Sequence, residues 1–274
     1  MSTKLLRALV DLRNQQVQRA RIQFGNRIAA LDRGDDEGGG SGQRALAEKW
    51  FEHFQELEKE LDKDIAAVVT ELPFCEQISA VKGIGPLLAA QMMALIDIEK
   101  PQTVSALWRY AGYGLGDYWA DESGKIIAPK VGYQYRSNGD GEKKRVRVVA
   151  EPESGWTLVR MRDRNVAGWC SCYNKRLKVV MWKVASSFMR AGGPYKDEYD
   201  RAAEWYERKH PEWNGMRKHR AAMRKMVKLF LSHLWERWRK FEGLPTREVY
   251  VKEVLGHTSI NRPEDYGWPE WEQA

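Results

Sequence analysis

The sequence predicts a mainly α-helical protein with a small antiparallel β-insert. Apolar residues recur at steps of three and four over most of the chain, and clusters of Gly and Pro separate these stretches. Short runs rich in β-branched and aromatic residues, bounded by turn residues, predict the insert. We expect a helical hairpin over residues 1–75 with a flexible loop at 32–43, a helical domain over 76–242 with the insert at about 119–168, and an irregular C-terminal tail over 243–274.

The N-terminal segment is predicted to be an antiparallel helical hairpin, or coiled coil. Its first helix carries apolar residues seven apart, at Val10, Val17, Phe24 and Leu31, which places them on one stripe. After the Gly-rich acidic loop, a long amphipathic helix extends from Leu46 to Leu72. Because this apolar surface exceeds what one hairpin hides, we expect the hairpin to form a homodimer. The alternative is that the stripe packs on its own domain.

A Gly-rich bend follows the second helix. The stretch VKGIGPLLAA places Lys82, Gly83, Ile84 and Gly85 directly before Pro86. The two glycines permit a tight turn with positive φ, and Pro suits the first turn of the next helix. Backbone N–H groups at a helix start favour an anion. The pattern is typical of a helix-hairpin-helix unit that holds nucleic-acid backbone. The alternative is a Gly-terminated helix joined to a buried helix.

The β-insert is predicted from three strand-like runs, at Ile126–Arg136, Lys144–Val149 and Trp156–Met161. Between the first two runs, Asn138-Gly139 is a strong signal for a hairpin turn. We expect a basic face on this sheet, formed by Arg145, Arg147, Arg160 and Arg162.

Three helices are predicted after the insert: Tyr173–Ala191, Tyr195–His210 and a helix with an apolar stripe from Met223 to Phe241. The tryptophans on that stripe are expected to be core residues rather than base-stacking surfaces. Trp268 and Trp271 in the tail have no assignment from the pattern.

Charge points to a polyanionic partner. The chain has 45 basic and 38 acidic residues, a net charge of +7. Two blocks, residues 158–190 and 216–240, carry many cations and only the acids Asp163 and Glu236. Such blocks form an electrostatic footprint for nucleic acid. The cations chosen from them as binding candidates are Lys175, Arg176, Arg217, Lys218 and Arg224.

Several other classes are disfavoured. The charged N-terminus does not resemble a signal peptide, and the longest apolar run, Pro86–Ile96, is too short to span a bilayer. Cys75, Cys170 and Cys172 form neither a disulfide framework nor a four-ligand zinc set, so we expect a reducing, cytoplasmic compartment and no metal site. The histidines are scattered and are expected to be structural or solvent-facing.

Together these residues resemble one family. The stretches VKGIGPLLAAQMMALI, TVSALWRYAGYG, ESGK, YNKRLKVVMWKVASSFMR and HRAAMRKMVKLFLSHLW occur in an order similar to that of the C-terminal domain of the DEDD insertion-sequence transposases guided by a bridge RNA. The related Piv-type DNA invertases share this domain. The resemblance covers roughly residues 78–238, and the segment between Lys125 and Ser171 departs from it.

The resemblance implies a mechanism in which a serine of this domain attacks the DNA backbone, and Ser123 corresponds to it, with Lys125 beside it on the same turn. The family's four metal-binding acids lie in an N-terminal RNase H-like domain, which we expect to be absent here because the first eighty or so residues predict a coiled coil. Asp32, Asp35, Asp36 and Glu37 lie in a loop and are not expected to replace them. Magnesium (Mg2+) would enter only with a partner catalytic domain. The alternative is that Ser123 is an ordinary turn residue.

Two function hypotheses follow. One is a DNA-binding, transposase-like protein that acts in recombination, with a separate nuclease chain or a guide RNA as candidate partners. The other is an RNA-binding or interaction module that kept the scaffold, which the basic β-insert favours.

Overall fold

The computed structural model describes residues 3–34, 41–137, 142–246 and 261–270. As predicted, the fold is mainly helical with a small antiparallel β-insert. The chain divides into two compact units. Unit 1 comprises Met1–Ala80 and Ile84–Ile96, and unit 2 comprises Val81–Gly83 and Asp97–Ala274.

Unit 1 is all helical. Its elements are α1 (Thr3–Asp11), a π-helical turn (Leu12–Val17), α2 (Gln18–Arg33), α3 (Ser41–Thr70), α4 (Pro73–Ser79) and α5 (Pro86–Leu95). Helix α2 ends where Gly34 adopts a φ of +73°, a left-handed conformation that suits glycine. The acidic loop that follows, with Asp35, Asp36 and Glu37, lies outside the described residues.

Helices α2 and α3 form the predicted antiparallel hairpin. Phe24 stacks on Phe54 with ring centroids 5.9 Å apart, and residues nearer the start of α2 meet residues nearer the end of α3. Before α2, Arg13 of the π-helical turn is buried and pairs with Glu58 and Asp62, each at 2.7 Å. A buried cation with two acidic partners fixes the register of the two helices, because sliding one helix would leave a charge unpaired.

Helix α5 is the centre of unit 1. It packs against α1 and α3, and its residues from Ala89 to Leu95 are buried. The Arg7 side chain of α1 donates from Nε to the Ala94 carbonyl at 2.8 Å, which satisfies one of the carbonyls left free at the end of α5. The longest apolar run of the sequence is therefore a core helix of unit 1.

Unit 2 contains the β-insert. Its strands are β1 (Leu115–Ala120), β2 (Ile126–Pro129), β3 (Val131–Ser137), β4 (Lys143–Val149) and β5 (Thr157–Arg162). They form an antiparallel sheet in the order β2-β1-β5 and a separate β3-β4 hairpin. The predicted turn at Asn138-Gly139 lies outside the described residues.

The predicted single strand Ile126–Arg136 is wrong. It breaks at Lys130, whose N–H donates to the Asp117 carbonyl while its own carbonyl accepts from the Ala150 N–H, so the chain leaves one sheet and enters the other. The prediction also missed β1. The four arginines expected on one face are consequently divided, two on β4 and two on β5.

The helices of unit 2 are α6 (Val104–Tyr110), α7 (Lys175–Ala191), α8 (Pro194–Lys209) and α9 (Gly215–Phe241). Phe188, Tyr195 and Phe230 form an aromatic centre with ring centroids 4.6 to 5.5 Å apart. Trp235 and Trp238 are buried, as predicted for the stripe of α9.

Part of the C-terminal tail belongs to this core. After a 3-10 turn (Pro263–Tyr266), the Trp268 side chain is buried and donates from Nε1 to the Tyr195 hydroxyl at 2.8 Å. Residues 247–260 and 271–274, which include His257 and Trp271, lie outside the described residues.

Cys75, Cys170 and Cys172 are free thiols. Among the residues that the structure describes, no helix has the length and hydropathy needed to cross a lipid bilayer.

Candidate nucleic-acid interface

The Gly-rich bend has part of the predicted geometry. Gly83 has a φ of +97°, whereas Gly85 is extended, with φ −93° and ψ 170°, and is the N-cap of α5. Only the first glycine therefore uses the left-handed region. Lys82 and Gly85 are exposed, and Ile84 is buried. Lys82, in unit 2, and Gly85, in unit 1, are therefore each accessible to solvent.

Within unit 2, Gly83 is held against the end of α7. Its carbonyl accepts a hydrogen bond from Ser187 Oγ at 2.6 Å, and a Cβ at this position would lie 3.2 Å from Ala191 and from Phe188. Lys175, at the start of α7, is twelve residues from Ser187, or roughly 18 Å along a helix. Within unit 2, Gly83 and Lys175 therefore lie near opposite ends of α7.

A cavity of about 560 Å³ lies within unit 2. The N-terminal halves of α7 and α9, Tyr113 and the end of β5 form its walls. Its cations and acid are Arg162, Lys178, Arg220, Arg224 and Asp163. Its other lining residues are Tyr113, Trp182, Ala185, Met216, His219, Met223 and Val227.

Asparagine caps set both helix starts beside this cavity. The Asn174 side chain accepts from the N–H groups of Arg176 and Leu177, and the Asn214 side chain accepts from that of Arg217. The first turns of these two described helices carry cations and no acid. A helix N-terminus already has partial positive charge, so cations there add to it instead of compensating it. The arrangement favours a bound anion.

The cations around the cavity repel one another. Burial, and then neighbouring Arg162, lower the pKa of Arg224 below its usual value. Burial and Arg224 likewise lower the pKa of Lys178 and of Lys228, which lies one turn beyond Arg224 on α9. Each shift means that removing positive charge here is easier than in water. A bound anion would stabilise the whole group.

Asp163 is the acid among the described lining residues, and it is buried. Its Oδ1 accepts from the Tyr118 hydroxyl at 3.0 Å, and its Oδ2 lies 3.9 Å from Arg109 Nε. Its charge raises the pKa values of both Lys178 and Arg224, against the larger lowering by burial. One shared carboxylate offsets only part of the positive charge in the cavity.

Aromatic rings accompany these cations. The Lys228 ammonium lies 3.8 Å from the Trp108 ring centroid, and the Lys178 ammonium 4.4 Å from that of Tyr173. Burial raises the pKa of Tyr113 to about 12, which keeps its hydroxyl protonated. Trp182 differs from the other rings, since 61% of its surface is exposed.

The predicted binding cations are found in different environments. Lys175 and Arg176 are exposed at the start of α7, and Arg217 stacks on Trp213 at 4.1 Å from the ring centroid. Arg224 lines the cavity, with one nitrogen donating to the Gly114 carbonyl at 3.0 Å. Lys218 is buried and pairs with Glu207 at 2.7 Å, so its charge is already compensated.

Much of the cationic block on α9 is used internally. Lys225 pairs with Glu198, Arg237 with Glu264, and Lys240 with Glu236. Arg239 is buried and donates to the carbonyls of Ile98 and Pro245. The sequence pattern therefore overstated the charge that α9 offers to a partner, because its counter-ions come mostly from α8 and the C-terminal segment.

Ser123 and Lys125 lie on the exposed turn between β1 and β2. The Ser123 hydroxyl donates to Asp121 Oδ1 at 2.6 Å, and the N–H groups of Ser123 and Lys125 donate to the same oxygen. The hydrogen bond from Ser123 is the largest cause that lowers the pKa of Asp121. A carboxylate with a lowered pKa is a weak base. This geometry accounts for Ser123 as a turn residue without assigning it chemistry.

Sequence reasoning did not select Tyr113, Trp182 or Arg220 as binding residues, and it placed Arg162 on a basic face of the β-insert and not in this cavity. A signal for Trp182 exists, because the buried stripe of α7 contains Leu177, Val180, Met181, Val184 and Phe188 and leaves the tryptophan off that stripe. Trp182 and Met216 are both more than half exposed and line the same cavity, and an exposed apolar patch of this kind is a reason to look for a ligand or partner. Arg162 and Tyr113 reach the cavity only through the tertiary fold.

A second cavity, of about 610 Å³, lies beside the β3–β4 hairpin. It is lined by Tyr135, Arg145, Gly168, Trp169, Cys170, Ser171, Tyr173 and Lys175. The Arg145 guanidinium lies 4.2 Å from the Tyr133 ring centroid and donates to the Ser171 carbonyl. Two cations, Arg145 and Lys175, and two tyrosines, Tyr135 and Tyr173, therefore line this cavity together.

Within the described parts of the chain, no three His, Cys, Asp or Glu side chains converge as ligands for a metal ion would. No model of a known protein family matches the sequence, and no curated protein is detectably similar to it.

Proposed function

We propose that this chain is a DNA-binding, transposase-like protein that acts in DNA recombination or transposition. The recombination role is supported by the order of the sequence motifs, which resembles that of the DEDD transposases and Piv-type invertases. The binding role is supported chiefly by one feature, the cation-lined cavity at the starts of α7 and α9.

The positive charge of this cavity is only partly compensated by acidic residues, and this favours the binding of an anion. Arg162 lowers the pKa of Arg224, Arg224 lowers the pKa of Lys178, and the single carboxylate of Asp163 acts on both Lys178 and Arg224. Phosphate oxygens would relieve this repulsion, and the cations of the cavity would in turn displace counterions condensed on the nucleic acid. The exposed Lys175 and Arg176 extend the same positive end of α7 into solvent.

The β3–β4 hairpin favours RNA as a second candidate ligand. Its strands present Lys143, Lys144, Arg145 and Arg147 to solvent, with Tyr133 and Tyr135 exposed on the paired strand. Tyrosine and arginine planes side by side suit unstacked bases of structured RNA. In this alternative the chain is an RNA-binding module, or carries a guide RNA.

A second copy of the chain is the proposed protein partner. Leu46 and Trp50 stand one turn apart on α3, and 56% and 40% of their surfaces are exposed. Pairing two helical hairpins would bury them. Sedimentation equilibrium would find a dimer that Leu46→Glu converts to monomer; a monomeric wild-type protein would contradict this proposal.

The experiment that tests the function is a competition between duplex DNA and a folded RNA for the purified protein. DNA binding predicts that duplex displaces the RNA and that affinity falls steeply with salt. Displacement of DNA by RNA at lower concentration would favour the second candidate, and no binding of either would reject both.

The catalytic version is tested separately, by strand transfer with and without Ser123→Ala in the presence of a nuclease chain that supplies metal-binding acids. Product from the wild type alone would support Ser123 as nucleophile. Equal product from both proteins would leave it a turn residue.

A further inference from the structure

The cavity between the starts of α7 and α9 has walls of two kinds. Its lining includes the cations Arg162, Lys178, Arg220 and Arg224, and it also includes Trp182 and Met216, both more than half exposed. A phosphate needs only the cations. A flat, open indole beside them suits a second group, one that is planar and apolar on its face.

We propose that this cavity binds one unpaired nucleotide of a nucleic-acid strand, with its phosphate on the cations and its base against Trp182. The proposal rests on the proposed function, and it names the form of nucleic acid that the site recognises. Unpaired bases expose a π-face that stacks on aromatic side chains, whereas bases in a duplex are already stacked on their neighbours.

Size supports this choice. A volume of about 560 Å³ is within the range of sites that enclose small molecules. A base pair with both of its strands cannot enter such a space, so a duplex would contact only the rim. A single nucleotide at a gap, an overhang or a melted end can enter.

The position of Trp182 supports it as well. The tryptophan lies on a well-formed helix whose buried stripe is complete without it, so the core does not explain the residue. It is one turn beyond Lys178, which lines the same cavity. Spacing of i and i+4 places the two side chains side by side on the helix surface. A cation and a ring so placed match a phosphate and the base attached to the same sugar.

Fluorescence anisotropy with labelled DNA tests the proposal. Three probes of one sequence are used: an intact duplex, the same duplex with a short single-stranded gap, and the gapped duplex with abasic sugars in the gap. The wild type should bind the gapped duplex about tenfold more tightly than either of the others, since stacking of one base on an aromatic ring has about that effect.

Variants assign the preference to the indole. Trp182→Ala should bind all three probes with the affinity that the wild type has for the abasic probe, and Trp182→Phe should recover most of the preference. Trp205→Ala is the matched control, because Trp205 is also about half exposed, at 46%, and lies in unit 2 outside the cavity. Circular dichroism and thermal unfolding establish that each variant is folded.

The outcomes separate this proposal from the proposed function. Equal affinity of the wild type for gapped and intact duplex, or an unchanged preference in Trp182→Ala, would overturn the unpaired-nucleotide site while leaving nucleic-acid binding intact. Equal loss in Trp182→Ala and Trp205→Ala would also overturn it. Absence of binding to every probe would overturn both.

Discussion

Gly83 and Gly85 are two residues apart in the bend before α5, yet they tolerate substitution differently. At Gly83 the positive φ and the 3.2 Å approach of a Cβ to Phe188 make any side chain costly. At Gly85 the backbone is extended and a Cβ would meet no atom within 4 Å. Gly85 therefore allows the role of the bend in binding to be tested without disturbing the fold.

We predict that Gly85→Ala leaves the free energy of unfolding within about 0.5 kcal/mol of wild type. If the backbone here contacts phosphate, the methyl group should weaken DNA binding about tenfold, the scale of one lost charge-assisted hydrogen bond. Urea unfolding and anisotropy measure the two quantities. Gly42→Ala is the control, since Gly42 in the same unit is equally open. Unchanged affinity for Gly85→Ala would remove the bend from the interface.

His233 belongs to a buried hydrogen-bonded chain. Trp268 Nε1 donates to the Tyr195 hydroxyl, which donates to His233 Nδ1 at 2.8 Å, and His233 Nε2 donates to the Asn261 carbonyl at 2.9 Å. The imidazole is therefore neutral, with its proton on Nε2. Burial lowers the pKa of His233 from 6.5 to about 4, and the charged groups near it are Glu236, Arg237 and Glu264.

This pKa predicts acid sensitivity. The unfolded chain binds a proton at His233 more readily than the native protein does. The contribution of neutral His233 to the free energy of unfolding is therefore fully present above pH 6.5 and is lost as the pH falls towards about 4. The contribution is about 3 kcal/mol over this interval. Urea unfolding of the wild type and of His233→Gln gives the free energy of unfolding of each at several pH values between 6.5 and about 4. The two free energies should converge as the pH falls, since the glutamine does not titrate. Parallel curves would contradict a neutral, buried His233.

Among the elements, helix α7 connects the stability of the fold to the site. Its N-cap Asn174 accepts from two backbone N–H groups and donates from Nδ2 to the Tyr110 hydroxyl at 2.8 Å, which joins the start of α7 to the end of α6. The cations in the first turns of α7 interact unfavourably with the helix dipole. This cap therefore contributes more to the stability of the helix start than an ordinary cap does.

Asn174→Ala should lower the free energy of unfolding by about 1–2 kcal/mol, as the loss of a cap does. Asn174→Asp should retain most of it, because the carboxylate caps equally well and attracts the first-turn cations. Chemical unfolding of the two variants measures the difference. An alanine variant as stable as the aspartate variant would mean that the cap does not hold α7.

The helices and strands also show which elements can be predicted from a sequence pattern and which cannot. Helices α3, α7 and α9 were predictable because each buries an apolar stripe with helical spacing. Strand β1 was not, because its buried positions are Gly116, Tyr118 and Ala120, which give no clear alternation of hydrophobicity. Gly116 is small because a Cβ there would lie 2.4 Å from Asp163 Oδ1, a contact that only the folded chain creates.

The candidate site, like the fold, could be predicted only in part from the sequence. The cations of α7 and α9 are visible as blocks in the sequence, but the counter-ions that neutralise Lys218, Lys225 and Arg237 come from distant residues. Which cations remain for a ligand is therefore a tertiary property. Arg162 and Arg220 converge on one cavity although they lie on β5 and α9.

For the whole molecule, the central claim is that the cations of this cavity, and not positive charge in general, bind nucleic acid. Two double variants remove the same charge from unit 2. Arg162→Gln with Arg220→Gln alters the cavity, whereas Arg208→Gln with Lys209→Gln alters exposed cations at the end of α8 that do not line it.

The deciding measurement is the dependence of DNA affinity on salt concentration for the wild type and both double variants. Each phosphate contact contributes about 0.9 to the slope of log affinity against log salt. The cavity variant should lose about 1 from the magnitude of that slope, because the cavity holds one phosphate, and the α8 variant should keep the wild-type slope. Equal slopes for the two variants would show that the cavity is not where the phosphates bind.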